Sequence, residues 1–246
     1  MKRRSIAVFS IFLPAAISFP IYTQAADKIT KISVAQMPAL AENKEKGVVI
    51  NFLKAMEKAS GQTFDIVVQP FARSIGDAIE GRADAHFPLL QAVGAPNSTG
   101  KFDYSTEVVY PVNFVLYTKK GSSFTPDTIK TAKIETDIAH TDYFDFSTTG
   151  SSDLLLSLKK VDAGRIDGVI FADNVIDPII KSNNLTGLKR SMYKVFNVKF
   201  VLPKGGNGGS ADKAITAAIA KLKASGEWSK LTEAVGLGRS YDNWQP

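Results

Sequence analysis

The phrase GRADAHF at positions 81–87 returns as GRIDGVIF at 164–171. Each copy ends a helical pattern and opens an apolar run. In both, the glycine suits a left-handed helix end, the arginine stays solvated and the aspartate falls where the chain turns into a sheet. Upstream of the first copy, positions 29–34 mix apolar and polar residues as a half-buried strand does, and Val49, Phe52, Leu53 and Met56 then follow helical spacing up to a stop at Gly61. A second strand over 64–68, a short helix over 73–80 with Ile75, Ala78 and Ile79 inward, and a third strand over 83–90 complete a β-α-β-α-β order. The second copy repeats this grammar. Ser151 or Ser152 caps a helix with the stripe Leu154, Leu155, Leu158 and Val161, Gly164 ends it, and 166–171 is an apolar strand. The echo marks equivalent corners of two α/β units.

Two further apolar runs, 112–118 and 198–202, are each followed by a Lys-Gly turn, at Lys120-Gly121 and Lys204-Gly205, and read as the crossings between the units. Beyond them Ile215, Ala218, Ile219 and Leu222 form an amphipathic helix with Ser210 as N-cap and Gly226 as stop, and Trp228 and Leu231 lead a last helix to Gly236.

The chain has 246 residues, 44% hydrophobic and 22% charged, enough for one large domain or two small ones. Met1-Lys2-Arg3-Arg4, the apolar run 6–19 and the small residues Thr23-Gln24-Ala25 have the layout of a cleaved secretory signal peptide over 1–25. Pro14, Ser18 and Pro20 interrupt the run, which falls short of the roughly 18 continuous apolar residues of a spanning helix. Loss of Lys2, Arg3 and Arg4 lowers the formal charge from +6 to +3, and the remaining chain has no basic face interleaved with aromatics, so nucleic acid is not an expected partner. Cysteine is absent, which excludes disulfides, thiolate metal sites and lipid attachment at the cleavage site. His86 and His140 are the only histidines, no H-x-x-x-H or G-x-S-x-G phrase occurs, and neither a metal nor another cofactor is expected. PKGGNGGS at 203–210 lacks the Lys-Ser/Thr pair of a nucleotide loop and reads as a surface turn.

Taken in order, KGVVINFLKAMEKASG, FARSIGDAIEGRADAHF, KFDYSTEVVYPVNFVLYTKKG, LLLSLKKVDAGRIDGVIFAD, VKFVLPKGG and AITAAIAKLKASGEWSKLTEAVG resemble periplasmic solute-binding protein family 3, the polar amino acid type of ABC transporter substrate-binding protein. FDYS at 102–105 is similar to the family's F-D-F-S before its first hinge. The resemblance spans essentially the whole chain after the signal segment. It implies an α/β, two-lobed type II periplasmic binding protein fold with mixed sheets and two hinge strands. Lobe 1 would be 26–111 with 198–246 and lobe 2 would be 112–197, with crossings near 111–115 and 193–198. The implied function is a monomeric, soluble periplasmic protein that captures a small polar solute, an amino acid or related compound, and delivers it to an inner-membrane ABC permease without catalysis. A dehydratase-like enzyme on the same scaffold and a sensing module for a membrane receptor are the alternatives.

Ligands of α/β sheets sit beyond the carboxyl ends of strands. Phe71 aligns with the family's ligand-covering aromatic, and Arg73 beside it can hold a carboxylate. His86 and Phe87 lie on the third strand, Asp137 and Thr141 in the loop after the strand near Thr136, and Asp173 near the family's acid for an amino group. All seven are candidate ligand contacts. The chain departs from the family upstream of FDYS: where amino acid binders carry T-x-x-R with a carboxylate-clamping arginine, it reads QAVGAPNSTGKFDYS, with no arginine between Arg82 and Lys101. Carboxylate recognition by a guanidinium then rests on Arg73.

Overall fold

The computed structural model describes residues 29–37, 40–233 and 236–246, so the proposed signal peptide lies outside the described residues. The first half opens with β1 (Thr30–Ala35), α1 (Val48–Ser60), β2 (Phe64–Gln69), α2 (Phe71–Ile79), β3 (Ala85–Ala92) and the short β4 (Phe102–Tyr104). β5 (Tyr110–Lys119) leads into a second run of β6 (Ile134–Asp137), β7 (Thr149–Ser151), α3 (Leu154–Asp162), β8 (Gly168–Ala172) and α4 (Asp173–Asn183). β9 (Leu188–Pro203) returns to α5 (Ser210–Ala224) and α6 (Glu227–Glu233).

One sheet carries both halves in the order β2-β1-β3-β9-β5-β8-β6-β7, with β4 added to β9. β1 lies parallel between β2 and β3, and β6 lies parallel between β7 and β8. β5 and β9 run antiparallel to each other from Tyr110↔Val198 to Lys119↔Leu188 and tie the halves together. β9, with 16 residues, is far longer than the 198–202 run that periodicity marks. Lys189, Arg190 and Lys194 interrupt its apolar signal, yet the backbone pairing continues through them.

The repeated phrase does the same work twice. In each half the N–H of the strand-opening lysine donates to the phrase's aspartate, Lys31 to Asp84 Oδ2 at 2.9 Å and Lys133 to Asp167 Oδ2 at 2.7 Å. The aspartate's own N–H donates back to the same lysine carbonyl, at 2.9 and 3.0 Å. Gly81 and Gly164 turn the chain at φ +72° and +70°, a region an L side chain rarely adopts. The corner therefore stitches the third strand of each unit to the start of its first.

Packing follows the alternation of side chains across the sheet. Phe87 stacks on Phe200 at 4.3 Å and near Phe52 at 6.5 Å, in a core where Ile50, Leu53 and Met56 of α1 meet Ile215, Ile219 and Leu222 of α5. α2 covers the other face through Ala78 on Leu89, Tyr104 and Val201. In the second half Leu158 and Val161 of α3 and Ile176 and Ile180 of α4 cover Val115, Tyr117 and Val169, and Ile129 and Ile134 cover Leu116 and Ile170 on the reverse face. Asp153 caps α3, accepting from Leu156 N at 2.9 Å, in place of the expected Ser151 or Ser152. α5 begins with Ser210 itself, after Gly209, so that serine is not a cap.

The last eight residues leave the first core and run onto the second. Tyr241 and Trp244 pack on the second core. Arg190, fully buried, donates from Nε to Trp244 O at 2.6 Å and from its guanidinium to Asp242, with the rings of Tyr241 and Trp244 at 4.6 and 5.1 Å. Arg239 reaches Asp177 at 2.9 Å and Asp173 at 3.2 Å, while Tyr117 Oη donates to Asp177 at 2.7 Å.

Candidate functional site

The parallel strands of each half end on one edge, and the two edges converge on the joining strands. Ala172 at the end of β8 pairs with Phe114, and Ala92 at the end of β3 pairs with Phe196, itself paired with Val112. The crevice between the halves is thus bounded by the segments after β1, β2 and β3 on one side and β6, β7 and β8 on the other.

On the first side Phe71 opens α2 with 44% of its surface exposed, its ring edge-on to His86 at 5.4 Å. Arg73 in the same first turn is exposed and makes no hydrogen bond or ion pair among the described residues. Its charge acts on Asp77 one turn later, as a minor part of what holds that carboxyl below its usual range; the Gln69 and Arg82 hydrogen bonds dominate. Beneath Phe71 runs a buried polar chain. Gln69 Nε2 donates to Asp77 at 2.6 Å and to Ser33 Oγ at 2.8 Å, Ser33 Oγ donates to Ser74 Oγ at 2.9 Å, and Ser74 Oγ lies 2.7 Å from His86 Nδ1. Ser74 Oγ and His86 Nδ1 share one hydrogen bond, whose direction follows the ring's tautomer. Nε2 is buried and has no hydrogen-bond partner among the described residues. Burial lowers the His86 pKa to about 4, slightly opposed by the Pro88 carbonyl. His86 is therefore a neutral interior group one layer behind the crevice.

Phe87 is not a crevice residue. Fully buried, it faces α1 on the opposite side of the strand from His86, because neighbouring strand residues point to opposite faces.

On the second side Asp137 ends β6 and caps the turn 138–143, accepting from Ala139 N at 3.0 Å and lying 2.9 Å from His140 Nδ1. His140 packs at 5.0 Å from Phe171 and 5.2 Å from Tyr143, in an aromatic cluster with Phe114 and Phe196. Thr141 is half-buried and its carbonyl accepts from Thr148 Oγ1 at 3.3 Å, closing the loop on itself. Asp173 is 2% exposed, bonded to Asn113 Nδ2 at 3.1 Å and paired with Arg239, so the open acid anticipated for an amino group is instead covered by the tail. Burial raises its pKa against the Asn113 bond and the Arg239 charge.

Tyr143 is a residue that sequence reasoning passed over. It extends from the second half to Phe196 at 6.0 Å, and the Leu90 backbone and Tyr104 of the first half are close enough to influence its hydroxyl, which burial pushes up to about 12. Its hydroxyl lies close to both halves.

Two matched β-α-β units, one sheet with two joining strands and a crevice at the strand ends define the architecture, and solved structures share it. A histidine kinase sensor domain with similarity to periplasmic binding proteins matches at a TM-score of 0.60 and 14% identity, over 87% of this chain and 98% of that one. The chain has the type II periplasmic binding protein fold. The GluR0 ligand-binding core from Nostoc punctiforme in complex with L-glutamate matches at 0.59 and 13% identity, over 83% and 98% of the two chains. The arginine-, lysine-, histidine-binding protein ArtJ from Geobacillus stearothermophilus matches at 0.57 and 15% identity, over 89% and 97%. No protein-family model matches the sequence, and no curated protein matches it.

Proposed function

We propose that the chain is an exported solute-binding protein whose two halves act as lobes closing on a small organic solute, and that it delivers the solute to an ABC importer of the inner membrane. The observation that carries this reading is the convergence of six parallel strand ends on one crevice, with the halves joined by β5, β9 and the C-terminal segment. Binding there stabilises whichever arrangement of the lobes contacts the solute from both sides, by the solute's differential affinity for it. Phe71 and Arg73 on one side and Asp137, Thr141 and Tyr143 on the other are the groups placed to meet it; His86 supports Phe71 from behind. Proteins with this fold in amino acid ABC transporters and amino-acid-bound complexes support the solute class in outline.

A second reading, a sensor module that reports a solute to a membrane receptor, is favoured by the likeness to the histidine kinase sensor domain. Thermal unfolding against amino acids, amines, organic acids and short peptides tests the shared claim: a ligand at about 100 times its Kd adds roughly 2.7 kcal/mol, and absence of a shift across the panel contradicts it. Stimulation of ATP hydrolysis by a reconstituted importer separates the carrier from the sensor.

A further inference from the structure

His140 sits at the crevice edge of the second half, over the carboxyl end of β8 and the point where β5 enters that half. Its ring lies 5.0 Å from Phe171, 6.2 Å from Phe114 and 5.2 Å from Tyr143. Its Nδ1 lies 2.9 Å from Asp137 Oδ1, the oxygen that also accepts from Ala139 N at 3.0 Å. Although rings and carboxylate hold it in place, 25% of the His140 side chain is exposed, and its Nε2 has no hydrogen-bond partner among the described residues. Asp137 Oδ2, on a side chain 31% exposed, has none either.

The carboxylate fixes the state of the imidazole. An ionised carboxyl oxygen only accepts, so the proton of the Asp137–His140 hydrogen bond belongs to Nδ1. In the neutral ring the lone pair then lies on Nε2. Nε2 and Asp137 Oδ2 are thus two acceptors without a donor on one loop of the crevice. Protonation inverts the part of Nε2, because both nitrogens of an imidazolium donate and its charge repels a cation.

The groups around the ring leave this chemistry in place. Phe114, Phe171 and Phe196 bring no charge, and Tyr143 brings a hydroxyl. Asp137 and the exposed Asp142 are acids of the same loop, while Asp145 pairs with Lys130 at 3.2 Å. Asp173, which follows β8, is paired with Arg239, and Lys194, paired with Phe114 across β5 and β9, lies over the Tyr193 ring at 5.6 Å. Arg73, across the crevice, is an exposed cation with no ion pair among the described residues.

Resting on the solute-binding reading above, we propose that His140 is a solute contact, held by Asp137 so that Nε2 accepts a hydrogen bond from an amino group of the solute, and that acidification weakens capture by protonating this ring. Histidine is the side chain whose charge ordinarily changes between pH 5 and 8, so the effect falls in that range.

Titration calorimetry on the purified chain at pH 7.5 and pH 5.5 tests this with two sets of probes: L-leucine, 3-methylbutylamine and 4-methylpentanoate, and L-phenylalanine, 2-phenylethylamine and 3-phenylpropanoate. The expected result is that amino-bearing probes bind best at pH 7.5 and at least about threefold more weakly at pH 5.5. His140→Gln, which keeps a polar group near the place of Nε2 without titrating there, retains binding and loses the pH effect. His140→Phe, which keeps the ring contacts without the acceptor, weakens binding at pH 7.5 by about tenfold. His86 is present in every variant, so its own titration cancels, and circular dichroism at both pH values confirms that the variants fold. A pH effect that persists in His140→Gln, full binding by His140→Phe, or binding of the two carboxylates alone overturns the role of His140 and leaves the solute-binding reading standing. Binding of none of the six overturns the proposal, and the wider melting panel then decides whether solute binding falls with it. Imidazole 15N shifts of the chain without solute provide a check independent of any probe: a neutral His140 protonated on Nδ1 is expected, and one protonated on Nε2 overturns the proposal.

Discussion

Acidification should weaken this protein through one interior histidine, before most of its carboxylates protonate. His86 is fully buried, has no hydrogen-bond partner at Nε2 among the described residues and has its pKa lowered from 6.5 to about 4 by loss of solvent. The unfolded chain takes up the proton near pH 6.5 and the folded chain only near pH 4, so the unfolded state binds more protons throughout that window. Stability from this group is complete above pH 6.5 and is lost as pH falls toward 4. At about 1.4 kcal/mol per pKa unit the full loss is about 3 kcal/mol, with about 2 kcal/mol gone by pH 5. The assay is urea unfolding at pH 7 and pH 5 of the parent and of His86→Gln, whose amide oxygen can accept from Ser74. His140 is common to both proteins and cancels. The variant starts less stable at pH 7 but loses about 2 kcal/mol less between the two pH values. Parallel losses in the two proteins, or an NMR titration placing His86 near 6.5, refute the account of the buried polar chain.

Other consequences follow from the same structure. Arg190→Ala leaves Asp177 and Asp242 without their buried partner and detaches the 239–246 segment, so it costs about 3–5 kcal/mol and lowers Tm by about 10 °C in calorimetry. Phe87→Ala removes a core ring stacked on Phe200 and costs about 3–5 kcal/mol in urea unfolding, with Arg73-dependent binding retained in the folded fraction. Asp84→Ala and Asp167→Ala each cost about 1 kcal/mol, and similar values at the two sites are the energetic signature of the repeated corner.

Much of the fold is legible in the sequence because it is written in local terms. The helical spacing of Val49, Phe52, Leu53 and Met56, the stop at Gly61 and the two G-R-x-D corners each depend on residues only a few positions apart. What escapes depends on distant partners. The first half of β9 is a strand because β5 lies alongside it, although Lys189, Arg190 and Lys194 hide it, and RSYDNWQP at 239–246 has no periodicity and is held by a guanidinium some fifty residues away. The site is divided in the same way. The exposure of Phe71 and Arg73 after β2 follows from their place at a helix start, whereas the occupation of Asp173 by Arg239 and the reach of Tyr143 toward Leu90 are tertiary facts. Strand alternation lets only one of the neighbours His86 and Phe87 face α2, and the structure turns His86 to that side.

The central claim, that two halves close on a solute, is tested most directly by a distance measured across the crevice. The chain has no cysteine, so Lys44→Cys and Ser147→Cys, exposed on the first and second sides, place a spin label on each half for pulsed dipolar spectroscopy. With a solute that raises the melting temperature, the account predicts a distance distribution that narrows and shifts to shorter values, and a smaller shift in Tyr143→Ala. An unchanged distribution with such a solute bound contradicts it.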